Sequence, residues 1–595
     1  MKTKLRSTSG NISMMFLSTA IAMIVTEITG VITVLIDGII SSRFLGVEVY
    51  SGISLLKPFS GIVSVFTSLI ATGCNIVCSR LIGLGKKEET NRVFNLSVLM
   101  GVLLAGLLTA ACLFIPTTLL HLCGVSLNKY PELNPYLFAY LHGYMIGIPF
   151  MILIQIISPV LVMNNGKRLF TVSSLVLCIT DILSNLLNIF VFHGGAFGIG
   201  IASSLSYLIQ FMILLPCFLR KDGFFRLSPK AIGFHQLKDI VRYGSPALIK
   251  RTAGTLRDIL INYINITIAF SSVAIAARGI QNDLLVFFFC VPSGLGRTLI
   301  TMTGIYHGAN DLQGLKELYS YAIRLGLTIT GSIAAVVFAF APSLVGLYTG
   351  EPEVLSLAVF SIRCMSVALV FDTIAVLIQH FLQGIGDLRQ ANLLSFFERF
   401  IVPVSCAILL SMAYGSKGLL SSVALSKLIL VLLIFLANFL YYKKLPRTWK
   451  QLMFLPDEFG GSPTDNLYVR IGNVDDAIKA SAMTQQFILD HQIDRKKAML
   501  TGLFVEEMAM NVLDHAKKKK TDDIVIDFRL LISDTAICFS MTDLGDLFDP
   551  TSFYELHRYD SPEEHIGIRM VMNTAKEVRY FSTFSSNNLI VSIDR

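Results

Sequence analysis

Charge is scarce in this chain. Only 15% of its 595 residues are charged, and mean hydropathy is +0.65. That excludes an ordinary soluble protein and points to membrane. Acidic residues are rarest in Met1–Leu455, which holds 18 Asp and Glu against 34 Lys and Arg; Pro456–Arg595 reverses the balance, 23 against 15. A basic membrane part therefore precedes an acidic soluble part, and no nucleic-acid partner is expected. No GxxxxGK[ST] occurs, so a P-loop motor is excluded. Of ten cysteines nine lie in the apolar part. Cys74 and Cys78 can share a helix face but have no neighbouring His or further Cys, so they read as packing residues rather than metal ligands. MKTKLRSTSG lacks a small-residue cleavage site and reads as a tail before a retained first helix.

What the first part has instead is apolar runs long enough to cross about 30 Å. They fall at 13–38, 54–78, 93–116, 136–162, 170–192, 198–219, 245–269, 282–306, 319–341, 355–382, 392–413 and 418–442. The chain also resembles itself across Arg220–Pro246. Pairing Gly85 with Gly308, Gly166 with Gly386 and Gly198 with Gly418 gives offsets of 223, 220 and 220, the mark of a duplicated unit. The tail and alternate loops carry 22 Lys and Arg; the opposite loops carry five, Arg43, Lys57, Lys129, Arg278 and Lys417. Both ends of the bundle are therefore expected on the cytoplasmic side, with two parallel six-helix copies. The expected division is 1–220, 221–445, a linker at 446–465 and a soluble domain at 466–595.

A charge at the centre of a span costs about 2.5–3.5 kcal/mol on insertion scales, so each needs a reason. The first copy has Glu27, Asp37 and Asp181. The second has Lys250, Arg251, Arg257, Asp258, Arg297, Arg363, Asp372, Glu398, Arg399 and Lys427. Arg251, Asp258, Asn262 and Asn265 share one helical stripe. Asp37, Arg251, Asp258 and Asp372 read as cavity-lining; Lys427, Glu398 and Arg399 read as snorkelling or ion-paired near helix ends.

VLIDGIISSRFLGVEVYSGIS, FDTIAVLIQHFLQGIGD and SNLLNIFVFHGGAFGIGIASS resemble the multidrug and toxic compound extrusion (MATE) transporters over about residues 12–442. The resemblance puts the family's acidic residues on Asp37 and Asp372. It implies alternating access between six-helix lobes, with export of a small organic solute driven by Na⁺ or H⁺. Two departures stand out. The acidic residue often found just after Asn185 is missing, with Asp181 one turn earlier, and Lys250 and Arg251 lie near where some relatives carry a glutamate. The surplus of cations suggests an anionic cargo.

In the soluble part the pattern predicts strand (LYVRI), helices Val474–Asp490 and Arg495–Ala516, and strands Asp523–Ile532 and Thr535–Met541. A helix His565–Lys576 and a closing hairpin, Val578–Thr583 with Leu589–Ile593, follow. Glu507, Asn511 and His515 share a face of the second helix. Asp543 and Gly545 follow a strand in DLGDLFDP, and Gly567 opens a helix. The order resembles the GHKL (Bergerat) ATPase fold and, within it, the anti-sigma-factor serine kinases. The resemblance implies that Asn511 binds Mg²⁺, Glu507 is the general base, Asp543 holds adenine, and His515, Gly545 and Gly567 shape the ATP site. His565 stands where the family has a glycine.

The expected architecture is an all-α bundle of twelve spans followed by a GHKL-type α/β sandwich. The expected function is ion-driven export at the plasma membrane, regulated by a cytosolic ATP-binding domain, with a regulatory protein as a further partner. Two alternatives stay open: a transporter-shaped sensor with serine-kinase or anti-sigma output, and a lipid-linked oligosaccharide flippase.

Overall fold

The computed structural model describes residues 10–40, 44–45, 49, 53, 56–122, 134–219, 225–228, 232–267, 272–346, 348, 351–443, 453–455, 459–460, 465–518, 524–533, 535–557, 566–584 and 586–595. The first copy is built from α1 (Asn11–Ile40), α2 (Lys57–Gly83), α3 (Lys87–Phe114), the pair α4 (Asn134–Tyr144) and α5 (Ile148–Met163), α6 (Lys167–Leu187) and α7 (Gly195–Leu214). The second has α8 (Leu237–Thr267), α9 (Ser272–Phe288), α10 (Cys290–Gly308), α11 (Leu312–Gly346), α12 (Pro352–Ile385), α13 (Leu388–Phe396) and α14 (Val402–Tyr442).

Among the described residues nine helices are long and apolar enough to cross a membrane, or ten if α4 and α5, bent by 51°, form one span. Two features account for the difference from the expected twelve. The polar residues of α8 lower its hydropathy. Leu388–Leu440 is a continuous 53-residue helical run, over twice the roughly 20 residues a bilayer needs. Gly415, at φ +56°, breaks that run, a conformation open to glycine without steric cost.

Repeat symmetry is visible in the turns, with a corrected register. α2 ends at Gly83 and Gly85 is left-handed; α10 ends at Gly308 and Asn310 is left-handed. Gly308 therefore matches Gly83, not Gly85. Likewise Asn165, at φ +62°, matches Gly386, at φ +80°. Asparagine tolerates this region too, so glycine alone misplaces the alignment by one or two residues. Gly195 and Gly415 share φ +56°, as the third pairing requires.

The cores show where the copies meet. One cluster runs through both copies on the face that carries the basic loops. It joins Phe16 and Met23 of α1 and Cys78 and Ile82 of α2 to Leu299 and Met302 of α10 and Phe381 of α12. Towards the other face the cores separate: one holds only first-copy residues, such as Phe59, Leu141 and Ile152, and another only second-copy residues, such as Val337, Ile362 and Leu420. Among the described residues the copies are thus sealed on the basic face and divided towards the other.

After residue 460 the chain forms β1 (Asn466–Ile471), α15 (Val474–Asp490), α16 (Arg495–Lys518), β2 (Ile526–Ile532), β3 (Ala536–Asp543), α17 (Pro550–Leu556), α18 (Ile566–Thr574), β4 (Glu577–Thr583) and β5 (Ser586–Asp594). The strands form an antiparallel sheet in the order β1-β2-β3-β5-β4. Alternation decides the faces: Ile526, Phe528 and Leu530 join Ile537, Phe539 and Val591 in a core with Phe504, Val505 and Val571 of the helices. These elements follow the expected ones closely. The exception is α17, whose N-cap Asp549 accepts from Thr551 N at 2.9 Å, a capping signal hidden inside FDP. Trp449 and most of the expected linker lie outside the described residues. Met453, Phe454 and Leu455 are buried in the shared bundle core, so this stretch is not a loose tether.

Candidate functional sites

In the first copy, Asp181 and Asn185 are one turn apart on α6 and face Asp37 of α1. Asn185 Nδ2 donates to Asp37 Oδ1 at 2.8 Å and to Asp181 Oδ2 at 3.4 Å; Ser206 Oγ on α7 donates to Asp181 Oδ1 at 3.2 Å. Asp181 and Asn185 are buried and Asp37 is half-buried. Asn185 thus bridges the two carboxyls. Neighbouring carboxylates cannot both stay ionised in an apolar span unless a proton or a cation sits between them. The arrangement suits reversible uptake of either.

The second copy is wired differently. Lys427 of α14 forms ion pairs with Asp372 of α12 and, at 3.2 Å, with Glu398 in the wide turn Phe397–Ile401. Lys250 lies 3.7 Å and Arg399 3.3 Å from Glu398, and Lys250 Nζ donates to Gln379 Oε1 at 2.7 Å. Asp372 and Glu398 are 2% and 1% exposed. The cavity-lining reading of Asp372 is therefore corrected: a protein ammonium occupies its carboxylate. Lys427 and Glu398 are ion-paired and do not snorkel. Sequence reasoning placed all five charged groups at membrane depth but had no signal for which helices pack together. Arg297 bridges the copies, its Nε 2.8 Å from Glu27 Oε1 of α1. Arg251 is exposed at the midpoint of α8, and the side chains of Asp258, Asn262 and Asn265 lie outside the described residues.

In the C-terminal domain Asp543 ends β3 almost fully buried. Its Oδ1 accepts from Gly545 N and from Asn587 Nδ2, both at 2.8 Å. Burial pushes this carboxyl above the usual range, an effect the two hydrogen bonds partly offset. Oδ2 has no partner among the described residues and remains an open acceptor. Glu507 and Asn511, half-buried on α16, likewise make no hydrogen bond to a described residue. Gly567 lies against Glu507: a Cβ there would strike its Oε2. Two pairs are thus brought together, Asp543 with Gly545 and Glu507 with Gly567. The His515 side chain and His565 lie outside the described residues. Asn587, which orients Asp543, was missed; it sits in a hairpin strand where nothing in the pattern marks it.

The other face of the sheet rests on the basic end of the bundle. Arg579 Nη1 donates to Leu84 O, just past α2, and Arg529 Nη2 donates to Asn310 O, just past α10, both at 2.8 Å. These are symmetry-equivalent turns, and helix C-terminal carbonyls are unpaired and partly negative, so a guanidinium suits each. Arg470 Nη2 reaches Glu317 Oε2 at 3.0 Å, Asn11 Nδ2 donates to Val525 O at 2.8 Å, and Asn165 Nδ2 donates to Ser582 Oγ at 2.9 Å. Phe581 and Phe584 enter the shared bundle core.

The buried triad gives a prediction. Lys427→Met would leave Asp372 and Glu398 without their shared cation, at a cost of about 3–5 kcal/mol. Thermal unfolding of the purified protein should show a large drop. Adding Asp372→Asn should recover part of it; equal melting of all three proteins would refute the network.

The MatE family model matches residues 22–187 and 246–409, together more than half of the chain and one segment in each copy. Multidrug export protein MepA of Staphylococcus saprophyticus is 21% identical over 416 residues, covering 69% of this chain and 90% of that protein. Among solved structures, the outward-facing conformation of a multidrug resistance MATE family transporter of the MOP superfamily aligns with TM-score 0.68 at 19% identity, covering 75% of this chain and all of the other. A MOP superfamily transporter from Pyrococcus furiosus, described as having a binding pocket of reverse polarity that suggests a different function, aligns with TM-score 0.67 at 19% identity over the same shares. The matched segments hold both carboxylate sites and stop before the sheet. This is a multi-pass membrane protein, and it belongs to the MatE family.

Proposed function

We propose that this chain exports small organic solutes, anionic ones foremost, across the plasma membrane by alternating access driven by Na⁺ or H⁺ entry. The observation that carries this reading is the adjacent pair Asp37 and Asp181 in an apolar span, bridged by Asn185. A cation or proton taken up there neutralises the pair, and its release restores the repulsion. Such a difference in binding between two conformations is what couples an ion to a movement. Asp372 answers to Lys427 instead, so coupling rests on the first copy. The excess of 22 basic residues in the tail and alternate loops over five in the opposite loops favours a cytoplasmic position for that face, both termini and the sheet.

The C-terminal domain serves as the regulator. Its sheet ties Leu84 of one copy to Asn310 of the other, and inward opening would pull these turns apart. Its resemblance to GHKL ATPases makes ATP with Mg²⁺ the ligand. The open acceptor of Asp543 fits a donor such as the adenine amino group, and Asn511 and Glu507, without hydrogen bonds among the described residues, fit Mg²⁺ and a water or hydroxyl. ATP so held would supply a transferable γ-phosphoryl group. A sensor whose output is phosphorylation of a cytosolic protein is the second reading, favoured by the same contact: a sheet that touches both copies feels their separation.

Two predictions follow from these sites. In proteoliposomes, Asp37→Asn should cut gradient-driven solute flux at least tenfold while the protein remains monodisperse; parent-level coupled flux would remove the coupling role. By calorimetry on the full chain, Asp543→Ala should weaken ATP binding about ten- to a hundredfold, the size of a lost hydrogen bond to a charged group. Glu507→Ala should keep near-parent affinity and lose phosphotransfer or hydrolysis. Parent-like binding in Asp543→Ala, or none in the parent, would make the domain a protein-interaction module.

A further inference from the structure

The exporter reading leaves the second copy's cations unused. Lys427, Lys250 and Arg399 crowd round two carboxylates, Asp372 and Glu398, while Arg297 is balanced by Glu27. Among the described residues five cations, counting Arg251, therefore meet three carboxylates. Arg251 is the one left over: it is exposed at the middle of α8, and no carboxylate lies within ion-pair distance of it among the described residues. Its neighbour in the chain, Lys250, reaches Glu398 and Gln379 of other segments, and the charges nearest Arg251 are Arg297, Arg399 and Glu27, so it stands among the helices of the bundle. Arg297 is half exposed where it meets α1 of the other copy, which puts this exposure in the cleft between them. It lies eleven residues from the end of α10, about 16 Å at 1.5 Å per residue and close to mid-bilayer.

We infer that Arg251, Arg297 and Arg399 form the binding site for an organic oxyanion, a carboxylate or phosphate, presented to the cleft. An unbalanced positive charge at this depth is unfavourable, and an anion corrects it. Guanidiniums suit the task because each offers a planar fork that matches two oxygens of one oxyanion. Arg251 supplies the uncommitted charge. Arg297 and Arg399 are held in place by Glu27 and Glu398, so their forks are ordered before the ligand arrives. The inference rests on the exporter reading for its physiological cargo, though not for the site itself.

The test is fluorescence anisotropy on the full chain in phosphatidylcholine nanodiscs, with carboxyfluorescein as the anionic probe and rhodamine 6G as a cation of similar size. Carboxyfluorescein should bind, and rhodamine 6G should not compete. Arg251→Gln should weaken binding about ten- to a hundredfold, while Arg251→Lys, which keeps the charge, should retain most of it. Arg399→Gln should also weaken it. Adding phosphatidylglycerol to the nanodiscs separates sources: displacement of the dye assigns the oxyanion to a lipid headgroup, and no displacement assigns it to a soluble solute. Preference for rhodamine 6G, or unchanged dye binding in both Arg251→Gln and Arg399→Gln, overturns the site. Flux assays keep the two readings apart. Arg251-dependent binding without gradient-driven flux refutes the exporter and keeps the site; rhodamine 6G flux without dye binding does the reverse.

Discussion

Two glycines in backbone contact seal the basic face. A Cβ on Gly83 would run into the carbonyl of Ile305, and one on Gly308 into the carbonyl of Arg80. Only hydrogens separate α2 from α10 there, and the shared core of both copies fills in behind them. Asn75 and Thr301 exchange hydrogen bonds at 3.0 and 3.1 Å along the same seam, so a buried polar pair fixes its register. Packed cores shift between discrete arrangements rather than stretching. Separation of the copies at this end must therefore break the seam as a unit.

The sheet touches both sides of that seam. Its inner face packs on three helices, and its outer face offers Arg470, Arg529 and Arg579 in place of solvent-facing polar residues. Two of these guanidiniums reach the turns that follow the two glycine-bearing helices, one in each copy. A hydrogen bond to a charged group contributes about 1.5–3 kcal/mol. A pair spanning the seam thus carries enough energy to bias a transition between two conformations, where about 5.5 kcal/mol takes an equilibrium from one extreme to the other. The same sheet presents Asp543 at the end of β3, so a ligand bound there would sit on the body that bridges the copies.

Much of this was legible in the sequence. The apolar runs and the duplication gave the bundle. Asp37 and Asp181 stood out because carboxylates in apolar spans are costly, and the alternation from Leu467 onward located all five strands to within three residues at each end. What stayed hidden depends on which helix packs against which. Asp372 reads as a cavity residue until Lys427 is brought against it from α14. The repeat register slipped because Asn310 takes a left-handed turn where the first copy uses Gly85. Arg529 and Arg579 look like ordinary outward residues of amphipathic strands; nothing local says that their outward face is an interface.

The central claim is that the docked sheet holds the two copies together on the basic face. Spin labels at Glu88→Cys and Gln313→Cys, just after the two equivalent turns, report that separation by pulsed electron resonance. In the parent the distances should form one narrow population. Adding Arg529→Ala and Arg579→Ala should create a second population at longer distance, with an unchanged circular dichroism spectrum as evidence that the C-terminal domain remains folded. An identical single distribution in both proteins would show that the seam closes without the sheet and would contradict the account.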